Sequence, residues 1–518
     1  MALRVVALAI VAALAVSARG HTQGGSLPVS IETQHGPVHG YGAATDVVVF
    51  KGIPYAAPPT GERRWRPPAT PATWTEVRDA TQFGPRCAQP QAFGPARQRA
   101  QPPQPMSEDC LTLNVWTPAK SAQARLPVIV WLHGGNFTVG AGSAPNVDGA
   151  NLARRGIVVV TLNYRLGALG FLAHPALSRE SENGISGNYG LLDEIAALKW
   201  VHANIAAFGG DPASVTLMGE SAGATGVGDL LVSPLARGLF QRGIVQSIGG
   251  SFASQVTLAE AEREGATLVP DIATFRRLTA EEVIARLPQA PTVSPQTHYY
   301  PVVDGYVLPA NPMTLLASGQ AKMPLLIGHN SDEALFWVRD LPTTLAGYRE
   351  FVRGWFRPEL VDEIMARYPA ATDADVSKAA TRLTTDFKVV TPTILMARAA
   401  SRFSPVYMYR FSRVSPSSRS TFGGAAHTTE ILYVFDNLPA DPAQAEEWDH
   451  ALSREMAAAW VQFAKTGKPN GPGLSRWPVY RSPDYQLLAY GDTAAIDSNA
   501  DSPAVDFFQS RPSGVDLR

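Results

Sequence analysis

The chain holds only two cysteines in 518 residues, Cys87 and Cys110. It has no Cys-x-x-Cys pair and no His-Glu-x-x-His, so neither a zinc ribbon nor a metalloprotease helix is encoded. Charge of one sign is lacking too: 44 Lys and Arg stand against 45 Asp and Glu, and the basic residues form no blocks. That balance argues against nucleic acid or an anionic membrane as a partner. Long apolar runs are scarce. The run over residues 5–16, behind Arg4 and ahead of Ser17-Ala18, is too short to span a bilayer but has the layout of a secretory signal peptide. Residues 1–18 are therefore expected to be removed on export to the periplasm or medium, with residues 19–28 flexible. No linker, internal repeat or low-complexity tract divides the rest of the chain, and residues 29–512 read as one domain. In an oxidising compartment the two cysteines can close the aperiodic Pro/Gln/Arg-rich segment 89–107, worth roughly 3 kcal/mol in the chain-entropy model. Two free thiols are the alternative.

What is present is apolar and strand-like. Residues 126–132 and 156–162 are almost wholly apolar, which indicates strands covered on both faces. Residues 111–116 alternate, and 215–218, 243–247, 324–328 and 406–411 are further short strands. Residues 191–206 and 448–465 repeat at helical spacing. The prolines of residues 50–68 forbid a regular helix or central strand and predict a long ordered surface loop. Residues 258–287 are helical and charged, either a lid or an outer layer. Strands alternating with helices mean an α/β fold with a largely parallel sheet.

The strand at 215–218 runs into Gly219-Glu-Ser-Ala-Gly223 and then into a helix of small residues. This is the layout of a nucleophile elbow, in which a serine on a tight strand-to-helix turn is exposed beside a helix N-terminus. An elbow of this kind works with backbone donors that stabilise an oxyanion. The loop His133-Gly-Gly-Asn-Phe137 follows an earlier strand, and Gly135, Asn136 and Ala222 are the candidate donors. Asn136-Phe-Thr138 is also a glycosylation sequon, expected to stay unmodified because a glycan there would fill the site.

The acid should follow the nucleophile at a strand end and the base should follow the acid. His329-Asn-Ser-Asp-Glu333 offers Asp332 and Glu333, between which the pattern does not decide; Asp304 reads as a turn residue. Of the ten histidines, only His427 and His450 come later. His450 lies in a charged helical stretch, whereas His427 lies in the small-residue loop Gly423-Gly-Ala-Ala-His-Thr-Thr-Glu430 and is the candidate base. A dinucleotide-binding reading of Gly140-Ala-Gly142 fails, since Pro145 stands where the third glycine belongs.

Taken in order, Phe50-Lys-Gly-Ile-Pro-Tyr, Ser107-Glu-Asp-Cys-Leu-Thr-Leu-Asn-Val-Trp116, Asn188-Tyr-Gly-Leu-Leu-Asp193 and Phe208-Gly-Gly-Asp-Pro212 are long motifs. With the elbow, Gly328-His-Asn-Ser-Asp-Glu333, His427-Thr-Thr-Glu-Ile431 and Trp460-Val-Gln-Phe-Ala464, they closely resemble the type-B carboxylesterase and cholinesterase family of the α/β-hydrolase fold. The resemblance implies an exported serine hydrolase that cleaves carboxylic esters of small molecules through an acyl-enzyme, without cofactor or metal. It makes Glu333 the triad acid beside Ser221 and His427, and pairs Cys87 with Cys110. Three positions depart from the pattern: Asn136, Ala334 and Thr428 each replace a glycine. The cysteine loop carries Phe93 as its sole aromatic and no tryptophan, so choline esters are not expected substrates. Some exported bacterial members that resemble fumonisin esterases share His174-Pro-Ala-Leu-Ser178 and Ser186-Gly-Asn-Tyr-Gly190, which makes a bulky polycarboxylate ester a candidate substrate. The family also includes adhesion members that bind and do not cut; those have lost the nucleophile that is present here.

Overall fold

A computed structural model describes residues 29–43, 46–90, 104–288, 299–481, 484–498 and 503–509. The expected signal peptide, the segment 19–28, Phe93 and residues 510–512 lie outside the described residues.

One sheet of eleven strands organises the chain. In chain order these are β1 (Tyr41–Ala43), β2 (Val47–Pro54), β3 (Thr112–Thr117), β4 (Leu126–Leu132), β5 (Val158–Leu162), β6 (Gly210–Glu220), β7 (Arg242–Gln246), β8 (Leu325–Asn330), β9 (Val406–Phe411), β10 (Leu487–Tyr490) and β11 (Ala494–Asp497). Their spatial order is β1-β2-β3-β5-β4-β6-β7-β8-β9-β10-β11. The pairs from β5 through β10 are parallel, and those at both edges are antiparallel. This is the α/β-hydrolase arrangement, a mostly parallel sheet sandwiched by helices.

Burial on both faces is visible along β4. Val128, Val130 and Leu132 enter one hydrophobic cluster, while Ile129 and Trp131 enter another across the sheet. The first cluster is closed by the helices α1 (Tyr189–Asn204) and α2 (Ala222–Val232), and the second by α4 (Glu447–Thr466), whose Leu452, Met456, Trp460 and Phe463 are fully buried. With no solvated face, β4 has no reason to alternate, and its sequence does not. A further helix, α3 (Leu258–Leu268), packs Leu258 and Leu268 against the first cluster.

Two expectations need correction. Residues 50–54 are not loop: β2 runs to Pro54 and pairs antiparallel with β3, interrupted by a register shift between Phe50 and Ile53. Proline is tolerated there because Pro54 ends the strand and the denser prolines come after it. Residues 111–116 do not alternate in burial either, because Leu113, Asn114, Val115, Trp116 and Thr117 are all buried. Cys87 and Cys110 form a disulfide. Among the described residues no helix is long and apolar enough to cross a membrane.

Candidate active site

β6 delivers Ser221 at the carboxyl edge of the sheet. The serine sits at φ 56° and ψ −121°, a strained conformation for an L-residue, and its N–H donates to Gln246 O at 2.9 Å. The turn closes only because its flanks lack side chains. A Cβ on Gly223 would lie 2.1 Å from Leu132 O, and one on Gly219 would lie 2.4 Å from Gly223 O. The helix α2 begins at Ala222, so its first N–H groups and its dipole face the serine.

The loop after β4 turns back through Gly135 (φ 112°) and Asn136 (φ 61°). Asparagine accepts this left-handed conformation more readily than most residues, so the usual glycine is dispensable here. His133 braces the loop. Its ring stacks on Tyr164 with centroids 4.4 Å apart, and Tyr164 Oη donates to His133 O at 2.8 Å. Burial pushes the His133 imidazole down to about 4, against its bond to Gly134 O, so it stays neutral. The Asn136 side chain accepts from Tyr300 Oη through Oδ1 and lines the cavity beside Ser221, so a glycan on it would fill that cavity.

Behind β8, Glu333 is fully buried and its Oε2 lies 2.5 Å from His427 Nδ1. Its other oxygen accepts from Ser247 Oγ and from Asn330 N, both at 2.7 Å. Burial would raise this carboxyl, but His427, Ser247 and Asn330 together hold it below the usual carboxylate range. Asp332 points elsewhere: it accepts from Ser331 Oγ at 2.7 Å and from Ala425 N at 3.1 Å. Asp304 is a turn residue whose Oδ1 accepts from the N–H groups of Tyr306, Val307 and Leu308. His450 is half-buried on α4, away from this cluster.

The second imidazole nitrogen of His427 faces Glu220, with Nε2 3.1 Å from Oε1. Burial would lower the imidazole, yet Glu220, Glu333 and Glu430 outweigh it and raise it to about 9. Glu430 accepts from Gln246 Nε2 at 3.0 Å and Asn330 Nδ2 at 2.6 Å, and burial with the Glu333 charge pushes its own carboxyl up. Sequence reasoning gave no role to Glu220, Gln246, Ser247, Asn330 or Glu430. Two of them stood in plain view, Glu220 inside the elbow and Glu430 three residues after the histidine.

Ser221, Ala222, Asn136 and His427 line one cavity of about 450 Å³; Gly135 is not part of its wall. Helix α3 supplies Ala261, Glu264, Gly265 and Leu268 to the same wall, so this part of residues 258–287 is a side of the cavity. The wall also carries Trp337, Trp355 and Phe387, and Trp337 packs on His427 with ring centroids 4.8 Å apart.

Residues 28–508 match the family model described as "Carboxylesterase family". The chain belongs to the carboxylesterase family. As a member it is a carboxylic ester hydrolase, and its relatives agree. It is 42% identical over 463 residues to a fumonisin B1 esterase of Sphingopyxis macrogoltabida, covering 86% of this chain and 84% of that protein. It is 37% identical over 494 residues to the para-nitrobenzyl esterase of Bacillus subtilis (strain 168), covering 91% and 96%. A thermophilic PNB esterase superposes with a TM-score of 0.80 at 34% identity, over 90% of this carboxylesterase and 97% of that chain.

Proposed function

We propose that this exported carboxylesterase cleaves its substrate through an acyl-enzyme on Ser221, with His427 as base, Glu333 as the acid that orients it, and Gly135, Asn136 and Ala222 as oxyanion donors. The observation that carries the reading is the buried Glu333–His427 pair at 2.5 Å, opening on the cavity that Ser221 also lines. The Ser221 hydroxyl turns to neutral His427 Nε2, gives up its proton, and Oγ attacks the ester carbonyl carbon. Charge that builds on the carbonyl oxygen is met by the backbone donors, each worth about 3 kcal/mol. The imidazolium, stabilised by Glu333, returns the proton to the departing alkoxide. Water then repeats the cycle on the acyl-enzyme, releasing the acid and restoring Ser221.

The test is Ser221→Ala on 4-nitrophenyl esters from acetate to palmitate. A fall in kcat of roughly 10⁴-fold with the circular dichroism spectrum retained is expected, and a rate near wild type excludes the assignment. The likeness to a fumonisin B1 esterase, together with a cavity of this size, supports a second reading as a specialised esterase for a bulky polar ester. Fumonisin B1 is the substrate with which to try it.

A further inference from the structure

The catalytic cavity extends along one face of α2. Ser221, Ala222 and Thr225 line it, and Asp229 stands one turn beyond Thr225 on the same face. Asp229 is fully buried, and both of its carboxylate oxygens accept from Gln255 Nε2, at 2.7 and 2.9 Å. That bond settles which way the amide lies: Nε2 is taken up by the carboxylate, and Oε1, which can only accept, is the end left over. Gln255 is itself a wall residue of the cavity. Its Oε1 is buried and, among the described residues, has no hydrogen-bond partner.

The segment carrying Gln255 is fixed on the same helix. It leaves the sheet after β7 and makes one tight helical turn over Gly250–Phe252. Phe252 is fully buried and lies so close to α2 that a Cβ on Gly228 would stand 2.6 Å from its ring. Asn311 Nδ2 donates to Ala253 O at 2.9 Å, and Val303 N donates to Val256 O at 2.9 Å, which anchors the segment on either side of Gln255. Ser251 and Ser254 reach the cavity wall from it as well. Ser254 Oγ donates to Gly250 O at 3.2 Å, whereas the Ser251 hydroxyl bonds to no described residue.

We infer that Gln255 and Ser251 recognise a hydroxyl group carried by the substrate away from the ester being cut, so that the favoured substrates are esters of hydroxylated acids or of diols and polyols. This rests on the hydrolytic reading above. A hydroxyl suits the pair because its O–H donates to Gln255 Oε1 while its oxygen accepts from Ser251; a carboxylate, which only accepts, finds no donor in Oε1. Asp229 lies eight residues beyond Ser221, about 12 Å at the helical rise, so the ester and the hydroxyl belong to opposite ends of a long substrate. An ester with a methyl group in the hydroxyl's place leaves Oε1 unpaired against an apolar group, and a site of that kind discriminates through the loss. Gln255 and Ser251 set specificity and take no part in the chemistry.

The experiment compares esters that differ in a terminal hydroxyl or methyl. For the acid side these are 4-nitrophenyl 8-hydroxyoctanoate and 4-nitrophenyl nonanoate; for the alcohol side, 6-hydroxyhexyl acetate and heptyl acetate, followed by proton release. The quantity read is the hydroxyl-to-methyl ratio of kcat/KM, compared between wild type and Gln255→Leu so that intrinsic reactivity cancels. A fall in one ratio of roughly fivefold or more is expected, with Ser251→Ala lowering the same ratio. The pair that falls says whether the hydroxyl belongs to the acid or to the alcohol. Ratios equal in wild type and Gln255→Leu overturn the inference and leave the Gln255–Asp229 bond as a brace of α2. Should Gln255→Leu misfold, Ser251→Ala carries the same comparison. Wild type turning over none of the four esters would overturn the triad reading itself, and this inference with it.

Discussion

The imidazole of His427 is held between two carboxylates, Glu333 at Nδ1 and Glu220 at Nε2, and this sets how the rate should respond to pH. As the proposed base, His427 works only when neutral. A pKa raised from 6.5 to about 9 means that activity is lost as pH falls through a value above the ordinary histidine range. The acid limb of kcat/KM is accordingly expected above pH 6.5, and Glu220→Gln should move it downward by removing one of the charges that raise it. A limb that stays put would mean that Glu220 is uncharged in the working enzyme. The two adjacent acids make a second test at this scale. Glu333→Gln keeps the shape but loses the charge opposite Nδ1, and kcat should fall by roughly 10⁴-fold. Asp332→Asn touches only Ser331 and Ala425 and should stay within a few-fold. The sequence pattern alone could not separate these two residues. Neighbours at a strand end point in different directions, and which one turns inward is fixed by Asn330 N three residues before it together with Ser247 and His427, partners that arrive from elsewhere in the chain.

At the scale of elements, what could be read from sequence was whatever local pattern dictates. β4 falls where its apolar run begins and ends, because a strand buried on both faces has nothing polar inside it; β9 falls where expected too, although its Arg410 is half-buried and paired with Asp497. The elbow was legible for a different reason: its glycines answer to backbone geometry, and geometry of that kind has a fixed spacing. Gly223→Ala would set a methyl 2.1 Å from Leu132 O, where backbone on both sides leaves no easy retreat. A loss of at least ~1–3 kcal/mol in unfolding free energy is expected, read from the urea midpoint together with a collapse of esterase activity. The cavity wall was not legible. Residues 258–287 could be seen to be helical, but whether a helix covers the site or walls it depends on where Ala261, Glu264 and Leu268 point.

For the whole molecule, the disulfide and the expected signal peptide make linked predictions. The bond between Cys87 and Cys110 closes a loop with a sequence separation of 23. Replacing both cysteines by alanine should cost roughly 3 kcal/mol on the chain-entropy model, measured by urea unfolding. The mass of the protein recovered from a culture should correspond to a chain beginning after Ala18, and a chain that still carries residues 1–18 would argue against export by this route. The proposed site is spread along the molecule: the candidate donors follow β4, the candidate nucleophile follows β6, the candidate acid follows β8 and the candidate base lies beyond β9. On that assignment the segment up to the end of β8 and Glu333 carries the serine, the donors and the acid, but the proposed base, His427, comes later in the chain. Removal of the chain from residue 427 onward is therefore expected to abolish ester cleavage while leaving the serine and the acid in place.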